Sequence, residues 1–331
     1  MITKICLLII GFALLIIGAE LLLKGATMFI KKTKVPEIIV GIFIVALGTS
    51  LPEIFLTIKS SLSGNTELIL GNAIGSSICN FLLVLGIACV TKPIKLDLKM
   101  CEYNLAILAV SVIILGFLSN NMFEIGFLDK KEAVILLLAT VFYMGFNVWH
   151  GKNTNSKDEK DEKDKKEKNS KNKTKDEDRL TLKSFFTIIF LIAIGGLMLN
   201  FGSDFVIDGA TYIAKELRVT AEVISLTIIA AGTALPEIVT SIIASKNHND
   251  GLVVGNVIGS NVYNIILLPA IGAIISPIKF DANLNNSLLF LGLITTGMMI
   301  RYVGFGDNLM TKKRGIAFIT IYILYIAILV V

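Results

Sequence analysis

Residues 41–88 read GIFIVALGTSLPEIFLTIKSSLSGNTELILGNAIGSSICNFLLVLGIA, and residues 225–272 read SLTIIAAGTALPEIVTSIIASKNHNDGLVVGNVIGSNVYNIILLPAIG. A shift of 184 residues lays 18–97 on 202–281 without a gap, with 30 identities in 80 positions. Gly48-Thr49-Ser50-Leu51-Pro52-Glu53 falls on Gly232-Thr233-Ala234-Leu235-Pro236-Glu237. Gly71-Asn72-Ala73-Ile74-Gly75-Ser76 falls on Gly255-Asn256-Val257-Ile258-Gly259-Ser260, and Asn80 on Asn264. Self-similarity of this kind marks two copies of one structural unit.

The surrounding composition says where that unit lives. The chain of 331 residues is 54% apolar and 17% charged, with a mean hydropathy of +0.76. Ordinary soluble domains are roughly 45–50% apolar and about 25% charged. Residues 151–183 alone hold 12 of the 31 Lys/Arg and 9 of the 26 Asp/Glu, so the rest is nearly stripped of charge. This excludes a soluble enzyme, a disordered chain and a nucleic-acid binder, and the net charge of +5 points to no polyanionic partner. The partner is the lipid bilayer. Long continuous apolar runs, in place of short alternating ones, exclude a transmembrane barrel.

Runs near 5–23, 38–60, 67–90, 102–118, 132–149, 182–201, 219–244, 251–275, 285–300 and 313–331 predict ten helices. The first has no cleavage signal and reads as retained. Residues 1–150 form an N-terminal five-helix repeat carrying the motif 41–88, and 183–331 a C-terminal one carrying the motif 225–272. Five is odd, so the second copy crosses in the opposite sense. The expected fold is an all-α polytopic membrane protein with ten transmembrane helices in two inverted five-helix repeats, the architecture of alternating-access transporters. With both termini outside, 24 Lys/Arg lie on the inner side and 7 on the outer. The positive-inside rule then predicts extracellular termini, a cytoplasmic 151–182 linker and a place in the cell membrane. That linker, KDEKDEKDKKEK at its centre, is expected to be solvated and largely disordered. Cys6, Cys79, Cys89 and Cys101 have no metal-site spacing and read as free packed thiols. No cofactor is implied, and a monomer suffices.

The repeated motifs carry hard-cation chemistry. Pro52 and Pro236 lack a donor and free the carbonyls of Gly48 and Gly232, four residues back. In lipid, freed carbonyls are tolerated only where protein, water or an ion meets them. Glu53 and Glu237 follow at once, and a carboxylate at the bilayer centre costs roughly 2.5–3.5 kcal/mol on insertion scales. Two at equivalent positions call for a ligand. Thr49 and Ser50 share a face with Glu53. Asn72, Ser76 and Asn80, like Asn256, Ser260 and Asn264, stand four residues apart and form one polar stripe per repeat. Asn72 and Asn256 read as interhelical glue; Gly71/Gly75 and Gly255/Gly259 are small-xxx-small pairs for close helix approach. Oxygen donors without nitrogen or sulfur suit Na⁺, Ca²⁺ or Mg²⁺.

These paired motifs resemble the two repeats of the calcium/cation antiporter superfamily, most closely the prokaryotic sodium/calcium exchangers. The resemblance implies electrogenic exchange of Na⁺ for Ca²⁺, with Glu53 and Glu237 as shared carboxylates. It assigns Na⁺ ligands to Thr49, Ser50, Thr233, Ser76 and Ser260, backbone carbonyls to Ala46 and Ala230, and the central site to Asn80 and Asn264. Two positions depart from the family pattern. Ala234 stands where the first repeat has Ser50, so one hydroxyl is missing. Asn264 stands where relatives often have the Asp that accompanies K⁺ co-transport, which predicts K⁺ independence. A Ca²⁺/H⁺ antiporter, with the buried carboxyls carrying protons, is the alternative. A passive cation channel is a weaker one, and no HExxH, GxSxG or paired-Asp motif supports an enzyme.

Overall fold

The computed structural model describes residues 2–121, 127–166, 180–216, 230–280 and 284–330. Helix α1 spans Ile2–Thr33, α2 Glu37–Thr49, α3 Leu51–Leu62, α4 Glu67–Thr91, α5 Leu98–Asn121 and α6 Lys130–Lys166. Helix α7 spans Leu182–Glu216, α8 Ala230–Thr233, α9 Leu235–Lys246, α10 Asp250–Ile275, α11 Leu284–Met298 and α12 Lys312–Val330. Among the described residues six helices (α1, α4, α5, α6, α7, α10) are long and apolar enough to cross a bilayer, and the bent pair α2–α3 makes seven. Only the part of the expected span 219–244 from residue 230 onward is described.

Four two-residue strands report the sense of the repeats. β1 (Ile94–Lys95) pairs with β4 (Leu309–Met310), and β2 (Phe127–Leu128) with β3 (Ile278–Lys279), both antiparallel. Helix α5 runs from the β1–β4 pair to the β2–β3 pair. Helix α11, its repeat equivalent, runs from β2–β3 back to β1–β4. The two copies therefore cross in opposite directions, as expected. The long helices agree. A Cβ on Gly18 would sit 2.9 Å from the Gly195 carbonyl oxygen, and one on Gly11 2.9 Å from that of Gly202. Residue numbers rise in α1 as they fall in α7, so these equivalent helices are antiparallel. Gly11 and Gly18 map onto Gly195 and Gly202 under the same shift of 184. The ladder of close approach is thus built from both copies, with van der Waals packing in place of a hydrophobic drive.

The molecule is apolar outside as well as inside. Ile9, Ile113, Phe142, Phe190 and Ile328 are each more than 60% exposed on α1, α5, α6, α7 and α12, which suits a hydrocarbon solvent. Buried polar residues are most numerous on α3, α4, α9 and α10, with others such as Asn104, Glu132 and Asn147 on α5 and α6. Cys79, Cys89 and Cys101 are buried and Cys6 exposed, all as free thiols. One expectation is corrected: α6 does not stop near 149 but continues to Lys166, so the first half of the charged linker is helical. Its sequence places Glu159/Lys163, Asp161/Lys165 and Glu162/Lys166 four apart, acidic residue first, the spacing that stabilises an isolated helix. Residues 167–179 lie outside the described set.

Candidate ion site

The site begins with two identical backbone breaks. Ser50 (φ −84°, ψ 10°) separates α2 from α3, and Ala234 (φ −85°, ψ 0°) separates α8 from α9. The axes of α2 and α3 differ by 49°. The loss of a helical hydrogen bond that each Pro predicts takes the form of a break between two helices, with Pro52 and Pro236 in the first turn of the second. There the missing N–H costs nothing, because the first-turn donors have no intrahelical partner. Glu53 and Glu237 also lie in those first turns, where the helix dipole favours a negative charge.

The four motif segments pack on one another. Helix α10 lies along α2, and its C-terminal half lies on α3; α9 packs on the C-terminal half of α4. A Cβ on Gly255 would be 2.3 Å from the Ile38 carbonyl oxygen, and one on Gly259 2.8 Å from the Ala46 Cβ. Gly259 therefore allows the close approach its spacing predicts. For Gly75, nothing among the described residues lies within 4 Å of an added Cβ. Its repeat-related neighbour, 221–230, lies almost wholly outside the described set.

Polar contacts then join the two copies. The Ser50 hydroxyl lies 3.4 Å from Glu237 Oε1 and 3.2 Å from Ser260 Oγ. Thr49 Oγ1 donates either to Asn256 Oδ1 at 3.0 Å or to the Ala46 carbonyl at 3.2 Å. Asn256 Nδ2 donates to Ser241 Oγ at 3.2 Å. Asn256 thereby ties α10 to α2 and α9, consistent with its role as glue; Asn72 is only half-buried. Thr49, Ser50, Glu53, Ser76, Asn80, Thr233, Glu237, Ser260 and Asn264 are all buried. Ala46 is buried too, and its carbonyl also accepts the Ser50 N–H at 2.9 Å. Ala230 opens the short turn Ala230–Thr233 at the edge of the described residues.

Glu53 Oε2, Glu237 Oε2, Asn80 Oδ1, Asn264 Oδ1 and Asn264 Nδ2 are buried and have no partner among the described residues. A buried polar atom without a partner costs about 1–3 kcal/mol, and more if charged. The four oxygens among these atoms, all on predicted residues, are of the type a hard cation takes, while Asn264 Nδ2 can only donate a hydrogen bond.

A profile of the family described as sodium/calcium exchanger protein matches residues 3–149 and 187–331. The chain belongs to this family. It is 30% identical over 293 residues to an uncharacterized membrane protein of Methanocaldococcus jannaschii, covering 88% of this chain and 87% of that one. It is 26% identical to the sodium/calcium exchanger MaX1 of Methanosarcina acetivorans, over 90% of each. Among solved structures it resembles the sodium-calcium exchanger NCX_Mj soaked with Na⁺ and Ca²⁺. The TM-score there is 0.79 at 28% identity, covering 99% of this chain and 98% of that chain.

Three features of the exchanger core escaped the sequence motifs. π-helical turns occupy Asn80–Val84 and Tyr263–Leu267, starting at or just before the predicted Asn, and a third occupies Gly41–Ala46. Such turns gather at functional sites, and no residue pattern announces them. Thr57, Ser61, Ser241 and Ser245 extend the carboxylate faces of α3 and α9 as buried polar stripes. Their four-residue spacing from Glu53 and Glu237 was available to find them. Third, Ser203 Oγ donates to the Gly232 carbonyl at 2.8 Å. The carbonyl freed by Pro236 is therefore met by protein, from α7, one of the three ways left open for it. The equivalent of Ser203 in the first copy is Ala19, which has no hydroxyl to offer Gly48.

Proposed function

We propose that this exchanger is a secondary active antiporter that trades Na⁺ for Ca²⁺ by alternating access. The observation that carries the reading is the bridge between copies: Ser50 of one repeat against Glu237 and Ser260 of the other, beside carboxylate oxygens with no partner among the described residues. One site of shared oxygens holds either ion set but not both, and that exclusion couples the two fluxes. Glu53 and Glu237 are the shared ligands. Thr49, Ser50, Thr233, Ser76 and Ser260 supply neutral oxygens, Ala46 and Ala230 carbonyls, and Asn80 and Asn264 the central amide oxygens. For an ion to use the Ala46 carbonyl, the Thr49 hydroxyl must first turn fully toward Asn256.

Two ionised carboxylates balance one Ca²⁺, whereas three Na⁺ leave the loaded site at +1, so exchange at that ratio moves charge. Asn264 adds no third carboxylate, hence no K⁺ requirement. Pairing every helix of one repeat with its copy supports the ten-span count, and the positive-inside count supports extracellular termini and a cytoplasmic linker in the cell membrane. The chain works as a monomer without a cofactor.

The test is Ca²⁺ uptake into proteoliposomes under an outward Na⁺ gradient, an outward H⁺ gradient, or neither. Uptake with Na⁺ alone, abolished by Glu53→Gln and by Glu237→Gln, is expected. Uptake driven by H⁺ alone would place the protein with proton-coupled antiporters, and uptake without a gradient would indicate a channel.

A further inference from the structure

A groove of about 400 Å³ runs between α11 and α12, with Leu82 of α4 in its wall and neither Glu53 nor Glu237 among its lining residues. Phe290, Ile294, Gly297, Phe318 and Ile321 line its length, with Arg301, Tyr302 and Arg314 at one end. Gly297 keeps it hollow, since nothing among the described residues lies within 4 Å of a Cβ there. From Phe290 to Arg301 the chain rises ~17 Å, at about 1.5 Å per helical residue. That matches one leaflet, half of a hydrocarbon core about 30 Å thick.

The charged end is positive after its internal pairing. Arg301 Nη2 lies 2.9 Å and Arg314 Nη2 2.6 Å from the same Asp307 Oδ2. The Arg314 hydrogen bond holds the Asp307 carboxyl below the usual carboxylate range, so it is ionised at neutral pH and cancels only one arginine. Arg314 Nη1 also donates to the Leu309 carbonyl at 2.6 Å, and its guanidinium lies 5.6 Å from the Tyr302 ring centroid. Arg301 bonds Asp307 through Nη2, and its side chain remains 49% exposed. Lys312 and Lys313, which precede Arg314 in the chain, are exposed. This end borders the β1–β4 pair, on the face that also carries Lys92 and Lys95 and that the positive-inside count assigns to the cytoplasm.

We propose that this groove binds one anionic phospholipid of the β1–β4-side leaflet, its phosphate on Arg301 and Arg314 and one acyl chain over Gly297 between α11 and α12. The phosphate takes the donors that Asp307 leaves free, a forked geometry in which arginine exceeds lysine. The acyl chain fills the hollow that side chains do not.

The full-length protein, stripped of lipid in detergent, is incubated with equal phosphatidylglycerol and phosphatidylcholine and examined by native mass spectrometry. Retention of one phosphatidylglycerol in preference is expected, weakened about tenfold by Arg301→Gln, which removes a charge-assisted contact. Gly297→Leu, which changes no charge, fills the hollow and is expected to weaken retention comparably, while Lys279→Gln at the β2–β3 pair leaves it unchanged. A monodisperse size-exclusion peak at the native volume qualifies each variant, and Gly297→Ser replaces any that fails. Equal retention of the two lipids overturns the proposal. So does a preference that survives either Arg301→Gln or Gly297→Leu, or displacement of the lipid by glycerol phosphate alone.

Discussion

Replacing Ser50 with Ala removes the hydroxyl that reaches from the first copy to a carboxylate of the second. The backbone tolerates it: Ala234 holds the same break with φ and ψ within about 10° of those at Ser50. What is lost is an oxygen 3.4 Å from Glu237 Oε1 and 3.2 Å from Ser260 Oγ. A hydrogen bond to a charged group contributes about 1.5–3 kcal/mol at good geometry. Both separations exceed the usual O–H···O distance of about 2.7–2.8 Å. The lower end applies, about 1–1.5 kcal/mol, or roughly five- to tenfold in affinity. Na⁺ depends on neutral oxygens more than Ca²⁺ does, because two carboxylates already balance Ca²⁺. The Na⁺ concentration for half-maximal Ca²⁺ efflux from proteoliposomes should therefore rise five- to tenfold, with Ca²⁺ half-saturation moving less than about twofold. Ser50→Ala with Ala234→Ser, which moves the hydroxyl to the other copy, should recover part of the loss. An unchanged Na⁺ half-saturation, or an equal shift for both ions, would refute this reasoning.

Three further outcomes follow from single contacts. Ser203→Ala orphans the Gly232 carbonyl and should cost about 1–3 kcal/mol, lowering the melting temperature, with Ala19→Ser unable to compensate; an unchanged melt would mean water replaces the hydroxyl. Gly255→Ala drives a Cβ to 2.3 Å from the Ile38 carbonyl oxygen and should destabilise by about 1–3 kcal/mol or more, whereas Gly292→Ala, whose Cβ meets only Val112 at 3.6 Å, should be near neutral; equal melting temperatures for the two would contradict the packing of α10 on α2. Ca²⁺ flux in the unmodified protein should be independent of K⁺, and Asn264→Asp should introduce a K⁺ dependence; K⁺-stimulated flux before the substitution would reverse the assignment.

The inverted architecture was legible because two copies of one unit, each read from the sequence as five spans, leave no other arrangement, and the strand pairs bear out the opposite sense of the copies. Pro52 and Pro236 marked both helix breaks to within two residues, because a missing N–H can be read directly. Glu53, Glu237 and the Ser/Asn stripes were legible because a polar side chain among apolar neighbours needs a reason. Features set by tertiary contact were not legible. The partner of the Gly232 carbonyl comes from Ser203, 29 residues away on another helix, and nothing local to Pro236 announces it. The π-helical turns at Asn80 and Tyr263 change the register of a helix without a distinctive residue type. The helix beyond 150 was missed because a charge-rich composition reads as disorder, while the four-residue spacing of its opposite charges favours a helix.

The most direct test of the shared site is equilibrium binding of radioactive Ca²⁺ to the purified protein, titrated with Na⁺. One set of oxygens for both ions predicts complete, competitive displacement, steeper than first order in Na⁺, and no Ca²⁺ binding in either Glu53→Gln or Glu237→Gln. Ca²⁺ that stays bound at saturating Na⁺, or binds undiminished in either variant, would contradict a common site formed by the two repeats.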